Sequence, residues 1–254
     1  MARLDYRLEG EKGPAIVLLH AVGLNLDHSA GIAAHLGRGR RILRVSARGH
    51  GGSEDIANAI SLSDFAADIA SLIKELRVGP AWVAGLSFGG MLAQHLAVDH
   101  GGLVAGLVLT GTSHSVPAEA RLALVQRGRA AEERGMAGIL EETLDRWFAP
   151  NFRHAPVAAA ARETLLGAKP RNWALTWAAM AEMNLAHRMS EITKPTLALV
   201  GDHDVSSTPT MVRALADSIK GAAYAEIAGA GHMAPIEEPA RFAALVSDFI
   251  DARL

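Results

Sequence analysis

The chain contains no cysteine. Disulfide scaffolds, thiolate metal sites and cysteine nucleophiles are therefore excluded. It also lacks an excess of charge of either sign. Lys and Arg number 25 against 27 Asp and Glu, a net −2 with a pI of about 6.6. Nothing in bulk draws it to nucleic acid or to an anionic membrane. No apolar run approaches the ~20 residues that cross a bilayer. The opening Met1-Ala2-Arg3-Leu4-Asp5-Tyr6 carries an acid early and leads into a strand, unlike a secretory leader. A soluble, cytoplasmic protein is expected. Internal repeats and low-complexity tracts are missing too. No Gly-x-Gly-x-x-Gly follows the first strand and no Walker sequence occurs, which argues against a nucleotide-binding oxidoreductase. His95, Asp99 and His100 share one helix but miss the zinc-protease spacing. No metal and no cofactor are expected.

What is present is an alternation. The 254 residues are half hydrophobic, enough for a sizeable core. Ala15-Ile16-Val17-Leu18-Leu19 is a continuous apolar run of the kind buried on both faces of a parallel sheet. Residues 3–9, 41–46, 82–86 and 103–110 read as further strands. Helices are predicted at 28–36, at 61–76 with Ser61 as its cap, and at 88–100. From 116 to 189 no strand pattern appears. Helices are predicted there at 118–134, 137–148, 155–167 and 171–186, punctuated by Pro150, Pro156 and Pro170. Alternation then resumes with strands at 196–200 and 222–227 and helices at 208–220 and 239–251. The fold class is α/β: a mostly parallel, doubly wound sheet with a helical lid inserted after the sixth strand. Residues 1–115 and 190–254 would form the core domain and 116–189 the lid.

One stretch organises the rest. The strand before Ser87 ends in Gly85-Leu86-Ser87-Phe88-Gly89, and a helical pattern follows at once. Gly-x-Ser-x-Gly between strand and helix is a nucleophile elbow. The turn is so tight that residues two before and two after the serine must be small. It lifts the hydroxyl to a helix N-terminus, where developing negative charge is favoured. A serine needs a base to take its proton, and groups that act together gather at the carboxyl ends of the strands. After 222–227 comes Ala228-Gly229-Ala230-Gly231-His232, so His232 is the candidate base. After 196–200 comes Gly201-Asp202-His203-Asp204. Asp204, further out along the loop, is preferred as the acid that orients the imidazole; Asp202 is the alternative. The oxyanion donors are the Phe88 N–H and, from the loop after the first apolar strand, the Val22 N–H.

Gly-Leu-Ser-Phe-Gly-Gly, Arg48-Gly49-His50-Gly51-Gly52-Ser53, Gly-Asp-His-Asp and Gly-Ala-Gly-His together resemble the α/β-hydrolase fold superfamily over essentially the whole chain. Within it the chain looks most like the 3-oxoadipate enol-lactonase group. The segments that carry this are 41–44 leading to 48–51, 84–91, and above all Arg146-Trp147-Phe148-Ala149-Pro150-Asn151-Phe152-Arg153. The resemblance implies that the second Asp of the Gly-x-x-Asp loop is the acid, which is Asp204. It also implies an acyl-serine hydrolase of a small ester or lactone. The chain departs from the group at His20-Ala21-Val22-Gly23, at Ser46 where many members carry Asp, and at Thr110-Gly111-Thr112-Ser113-His114-Ser115. These departures bear on the substrate and leave the hydrolytic chemistry intact.

Trp147 and Trp177 from the lid and His20 from the first loop are the candidate substrate contacts. Trp173 is a third lid tryptophan, and all three equally suit packing of the lid helices. The lid residues Arg146, Arg153 and Arg171 are candidates for a substrate carboxylate. A general carboxylesterase, a β-diketone carbon–carbon hydrolase and a perhydrolase or haloperoxidase-like enzyme would share the triad. A ligand receptor on the same fold is the alternative outside enzymes. The expected partner is a small ester or lactone, with no nucleic acid and no membrane; the sequence leaves room for a homo-oligomer.

Overall fold

The computed structural model describes residues 2–253. Seven strands are hydrogen-bonded in one sheet: β1 (Tyr6–Glu9), β2 (Ala15–Leu19), β3 (Arg41–Val45), β4 (Ala81–Leu86), β5 (Val104–Thr110), β6 (Thr196–Gly201) and β7 (Ala223–Ile227). Their spatial order is β1-β3-β2-β4-β5-β6-β7. Every pairing is parallel except β1 with β3. The edge strand β1 is exposed at every position, whereas β2 and β4 are buried at every position.

Burial on both faces follows from helices on both sides. The helices are α1 (Ala30–Leu36), α2 (Leu62–Glu75), α3 (Phe88–Asp99), α4 (Ala118–Trp147), α5 (Pro156–Gly167), α6 (Pro170–Ala181), α7 (Pro209–Asp217), α8 (Ala234–Glu237) and α9 (Pro239–Asp251). Val17, Leu19, Val83, Leu107 and Leu109 pack with Phe65, Ile69, Leu92 and Leu96 of α2 and α3. The alternate positions, Ile16, Leu18, Trp82, Ala84 and Val108, pack with α1 and α9 through Ile32, Leu36, Val246 and Ile250. The period of two in the strands thus sorts one continuous apolar run into two cores. At the start of α2, Ser61 accepts from the Asp64 N–H while the Asp64 carboxylate accepts from the Ser61 N–H, a reciprocal cap.

The parallel register places the site. Leu19 lies opposite Gly85, Leu86 opposite Thr110, Thr110 opposite Leu199 and Gly201 opposite Ile227. The carboxyl ends of β2, β4, β5, β6 and β7 therefore form one rim. Residues from distant parts of the sequence leave the sheet side by side.

The insertion of helices α4–α6 follows β5, the fifth strand in chain order, and not a sixth strand as expected; no other strand precedes it among the described residues. The single span of α4 is broken at Gly135, whose φ of 69° is not helical, giving the predicted break between 134 and 137. Helix α6 ends at Ala181, five residues short of the expected 186. There the chain is taken over by pairing with the segment after β5: Val116 donates to Met183 O, Leu185 donates to His114 O, and Ser115 bridges Asn184. The short helix α8 lies in a stretch whose sequence predicts no element. No helix among the described residues is long and apolar enough to cross a membrane.

Candidate active site

Ser87 sits between β4 and α3 with φ 54° and ψ −111°, a backbone conformation that L residues rarely adopt. Its N–H donates to Thr110 O at 2.8 Å, and its carbonyl accepts from Met91 N at 3.1 Å. The glycines around it are required by space. A Cβ on Gly85 would lie 2.1 Å from Gly89 O, and one on Gly89 would lie 2.3 Å from Leu19 O. The structure thus builds the elbow for the steric reason read from the sequence.

His232 and Asp204 meet beside it. The His232 Nδ1–H donates to Asp204 Oδ2 at 2.8 Å. A carboxylate can only accept here, so Nδ1 carries the proton and Nε2 is left with its lone pair. Both side chains are buried, Asp204 completely. The other Asp204 oxygen accepts from the N–H groups of Ser206 at 2.7 Å and Ser207 at 2.9 Å. That turn locks the carboxylate. Asp202 instead accepts from Gly229 N at 2.7 Å and stays away from His232. Of the two acids in the loop, the structure brings Asp204 to the imidazole.

Ser87, His232, Val22, Trp147 and Trp177 line one cavity of about 470 Å³. It lies between the sheet rim and the inserted helices. Phe88 is fully buried beneath it, in edge contact with Phe65 at 5.1 Å between ring centroids. The backbone N–H groups of Val22 and Phe88 donate to no protein acceptor among the described residues. The tryptophans serve packing as well: Trp173 lies 6.4 Å from Trp147 and 5.7 Å from Trp177, ring to ring.

His20 requires a correction. It does not line this cavity. Its Nδ1–H donates to Ala21 O at 2.7 Å and its Nε2 accepts from Ala47 N at 3.0 Å, so both ring nitrogens are committed to backbone. The ring packs 4.9 Å from His50, which stacks on Phe88 at 5.6 Å. These two imidazoles pack beneath the site and neither lines the cavity that holds Ser87. Burial pushes the His20 pKa well down, and burial also lowers that of His50 to about 4. An unfolded histidine titrates near 6.5. Between those values the unfolded chain binds more protons than the fold does. Stability present above about pH 6.5 is therefore lost as the pH falls toward 4, on the order of 3 kcal/mol for His50. Urea titrations at pH 7 and pH 4.5 check this: wild type should lose clearly more stability than His50→Asn, and equal losses would count against it.

The arginines are also rearranged relative to expectation. Arg153 is paired with Asp145 and Glu141, and Arg171 donates to Ala57 O. Only Arg146 of the three expected residues reaches the cavity. Arg127 and Arg134, seven residues apart on α4, reach it too. That spacing marks one helix face, on which Ala120, Leu124, Arg127 and Arg134 recur at intervals of three, four and seven. None of Arg127, Arg134 and Arg146 forms an ion pair among the described residues, and Glu142 is the one acidic side chain in the lining. Arg127 lies 5.0 Å above the Trp177 ring. Burial, and then the nearby charge of Arg146, pull the Arg127 pKa below its ordinary value. The buried Trp177 Nε1–H has no protein acceptor. His95, by contrast, faces Asp99 at 3.3 Å, and Asp99 is taken up by Arg188.

A model of the alpha/beta hydrolase family matches residues 16–245. The chain belongs to that family. Among its relatives, this α/β hydrolase is 25% identical to 3-oxoadipate enol-lactonase 1 of Acinetobacter baylyi, over 97% of this chain and 92% of that one. It superposes on the enol-lactonase of Burkholderia xenovorans LB400 with a TM-score of 0.91 at 30% identity, covering 98% of this chain and 97% of that one. A thermophilic esterase from Thermogutta terrifontis, solved with malate bound, gives a TM-score of 0.92 at 27% identity, with 99% and 94% covered.

Proposed function

We propose that this α/β hydrolase cleaves a small ester or lactone that carries a carboxylate, in the manner of an enol-lactonase. The observation that carries the reading is the 2.8 Å contact of His232 with buried Asp204 on the same cavity wall as the elbow Ser87. In this mechanism Ser87 Oγ attacks the carbonyl carbon while His232 Nε2 takes the hydroxyl proton. The Val22 and Phe88 N–H groups hold the tetrahedral oxyanion. Asp204 stabilises the imidazolium. The carbon–oxygen bond to the leaving group then breaks, and His232 returns its proton to that oxygen. Water, deprotonated by His232, cleaves the acyl-serine and releases the acid. With a lactone the leaving oxygen remains tethered, so one product forms. The inserted helices act as the lid, with Trp147 and Trp177 as its apolar contacts.

The carboxylate is supported by three arginines that line the cavity with a single acidic side chain, Glu142, and form no direct ion pair among the described residues. An anion would relieve the repulsion between Arg127 and Arg146 and accept their hydrogen bonds. The names of the relatives agree: two are enol-lactonases, and the esterase was solved with a dicarboxylate bound. That esterase also favours the second reading, a general carboxylesterase.

A panel of enol-lactones, lactones, plain esters and β-diketones separates these. Acid-bearing lactones should have the highest kcat/KM. Arg127→Gln should raise KM for an acid-bearing ester by about tenfold or more and leave its neutral isostere nearly unchanged. Equal turnover of neutral and acidic esters would favour the carboxylesterase. Cleavage of β-diketones alone would overturn both.

A further inference from the structure

One buried acid plays no part in the chemistry above. Glu237 ends α8, five residues after His232, and is almost fully buried. It forms no ion pair among the described residues. Its Oε1 accepts from the Ala149 N–H at 2.8 Å, and its Oε2 accepts from the Gly231 N–H. Ala149 follows α4 and Trp147; Gly231 immediately precedes His232. A second link runs beside this one, from Met233 N to Trp147 O at 3.0 Å. His232 is therefore bracketed. The residue before it is tied to the insertion through Glu237, and the residue after it is tied directly. There is no slack for a side chain at this junction, since a Cβ on Gly231 would lie 2.6 Å from Ala149 N. Burial raises the Glu237 pKa, and the two N–H donors and then His232 pull it back. A carboxylate is unusual at such a place unless both of its oxygens are needed.

We propose that Glu237 is a positioning residue: its two carboxylate oxygens clamp the peptide before His232 to the end of the first inserted helix and so fix the base over Ser87. The clamp sets the imidazole against the same segment, 146–149, that supplies Arg146 and Trp147 to the cavity wall. Base and substrate wall are thus held to one reference. This rests on the reading of Ser87 and His232 as nucleophile and base.

Glu237→Gln in the full chain tests it. The amide has one acceptor oxygen; its NH2 group must face one of the two N–H donors, so one arm of the clamp is lost. With p-nitrophenyl acetate, kcat should fall by about tenfold or more while KM stays within about threefold, in a protein whose circular dichroism is unchanged. In a His232→Ala background the same substitution should cost nothing further, because the group it positions is gone. If kcat stays within about twofold of wild type, or if only KM rises, the proposal is overturned. Should Glu237→Gln not fold, Glu237→Asp decides by the same thresholds, since it keeps the charge but is too short to span both donors. Ser87→Ala, assayed alongside, separates the outcomes: its inactivity with an unaffected Glu237→Gln overturns the clamp alone, and its full activity overturns the catalytic reading.

Discussion

Ser87→Ala is expected to lower kcat by about four orders of magnitude or more for any true ester or lactone substrate. The protein should otherwise be unchanged. Alanine meets the same backbone demand at φ 54° that serine meets, so the strain of the elbow is the same in both. The bonds that hold the turn, from Ser87 N to Thr110 O and from Met91 N to Ser87 O, belong to the backbone and survive. Thermal unfolding should accordingly move by no more than about 0.5 kcal/mol equivalent. Residual turnover would come from the oxyanion donors and binding alone. Steady-state kinetics with a chromogenic ester, together with calorimetry on the same sample, make the measurement. Activity within tenfold of wild type in a folded protein would remove Ser87 from the reaction.

The second large effect is expected at Asp204→Asn, for a reason visible in the turn that holds it. The Ser206 and Ser207 N–H groups need an acceptor at Oδ1 and will keep the amide oxygen there. The amide NH2 is then turned toward His232 Nδ1. A donor at that point forces Nδ1 to accept and moves the ring proton to Nε2, where the serine needs a lone pair. The imidazole is present but in the wrong tautomer, and kcat should fall by roughly 10³–10⁴. Asp202→Asn is the control. Asp202 accepts from Gly229 N and lies 3.8 Å from the His203 ring at the loop surface, so its loss should change kcat by less than about threefold. The reverse pattern, with Asp202→Asn the damaging substitution, would exchange their roles.

What was legible in the sequence is what local backbone chemistry enforces. Gly85 and Gly89 are conspicuous because no other residue fits the turn. The juxtaposition of Asp204 and His232 is legible because a parallel sheet delivers the loops after its strands to one rim, so their order along the chain reports their position in space. Helix ends were legible where a cap or a glycine sets them, as at Ser61 and Gly135, and not where a distant strand-like contact does, as at Ala181. The misassigned residues depend on side-chain contacts made once the chain has folded back on itself. His20 is a polar residue at the right strand end, but the Ala47 N–H, brought there by β3, takes its second nitrogen. Arg153 sits in the most suggestive motif of the insertion yet is neutralised by Asp145 and Glu141, eight and twelve residues earlier on α4, toward which the chain after Trp147 folds back. Arg127 and Arg134 carried a signal, their seven-residue spacing, that is shared by many solvated helix faces. Glu237 carried none, since a buried acid looks in the sequence like any surface glutamate.

The contact between Met233 and Trp147 bears on how such an enzyme could be re-engineered. An insertion joined to its host only at residues 116 and 189 would be a cassette, replaceable by another set of helices to change specificity. Here the insertion also touches the core through Lys169, Arg171 and Asn172 against 55–57, and a seam at 147–149 runs against the loop of the base, with Gly231 pressed to the Ala149 peptide. A chimera that transplants the helices whole will carry a foreign seam and should lose turnover even with a well-shaped pocket. One that exchanges only 118–145 and 156–181 while keeping Lys169, Arg171 and Asn172 leaves the seam at 147–149 and the contacts to 55–57 in place, and is the graft with which a new substrate range can be sought.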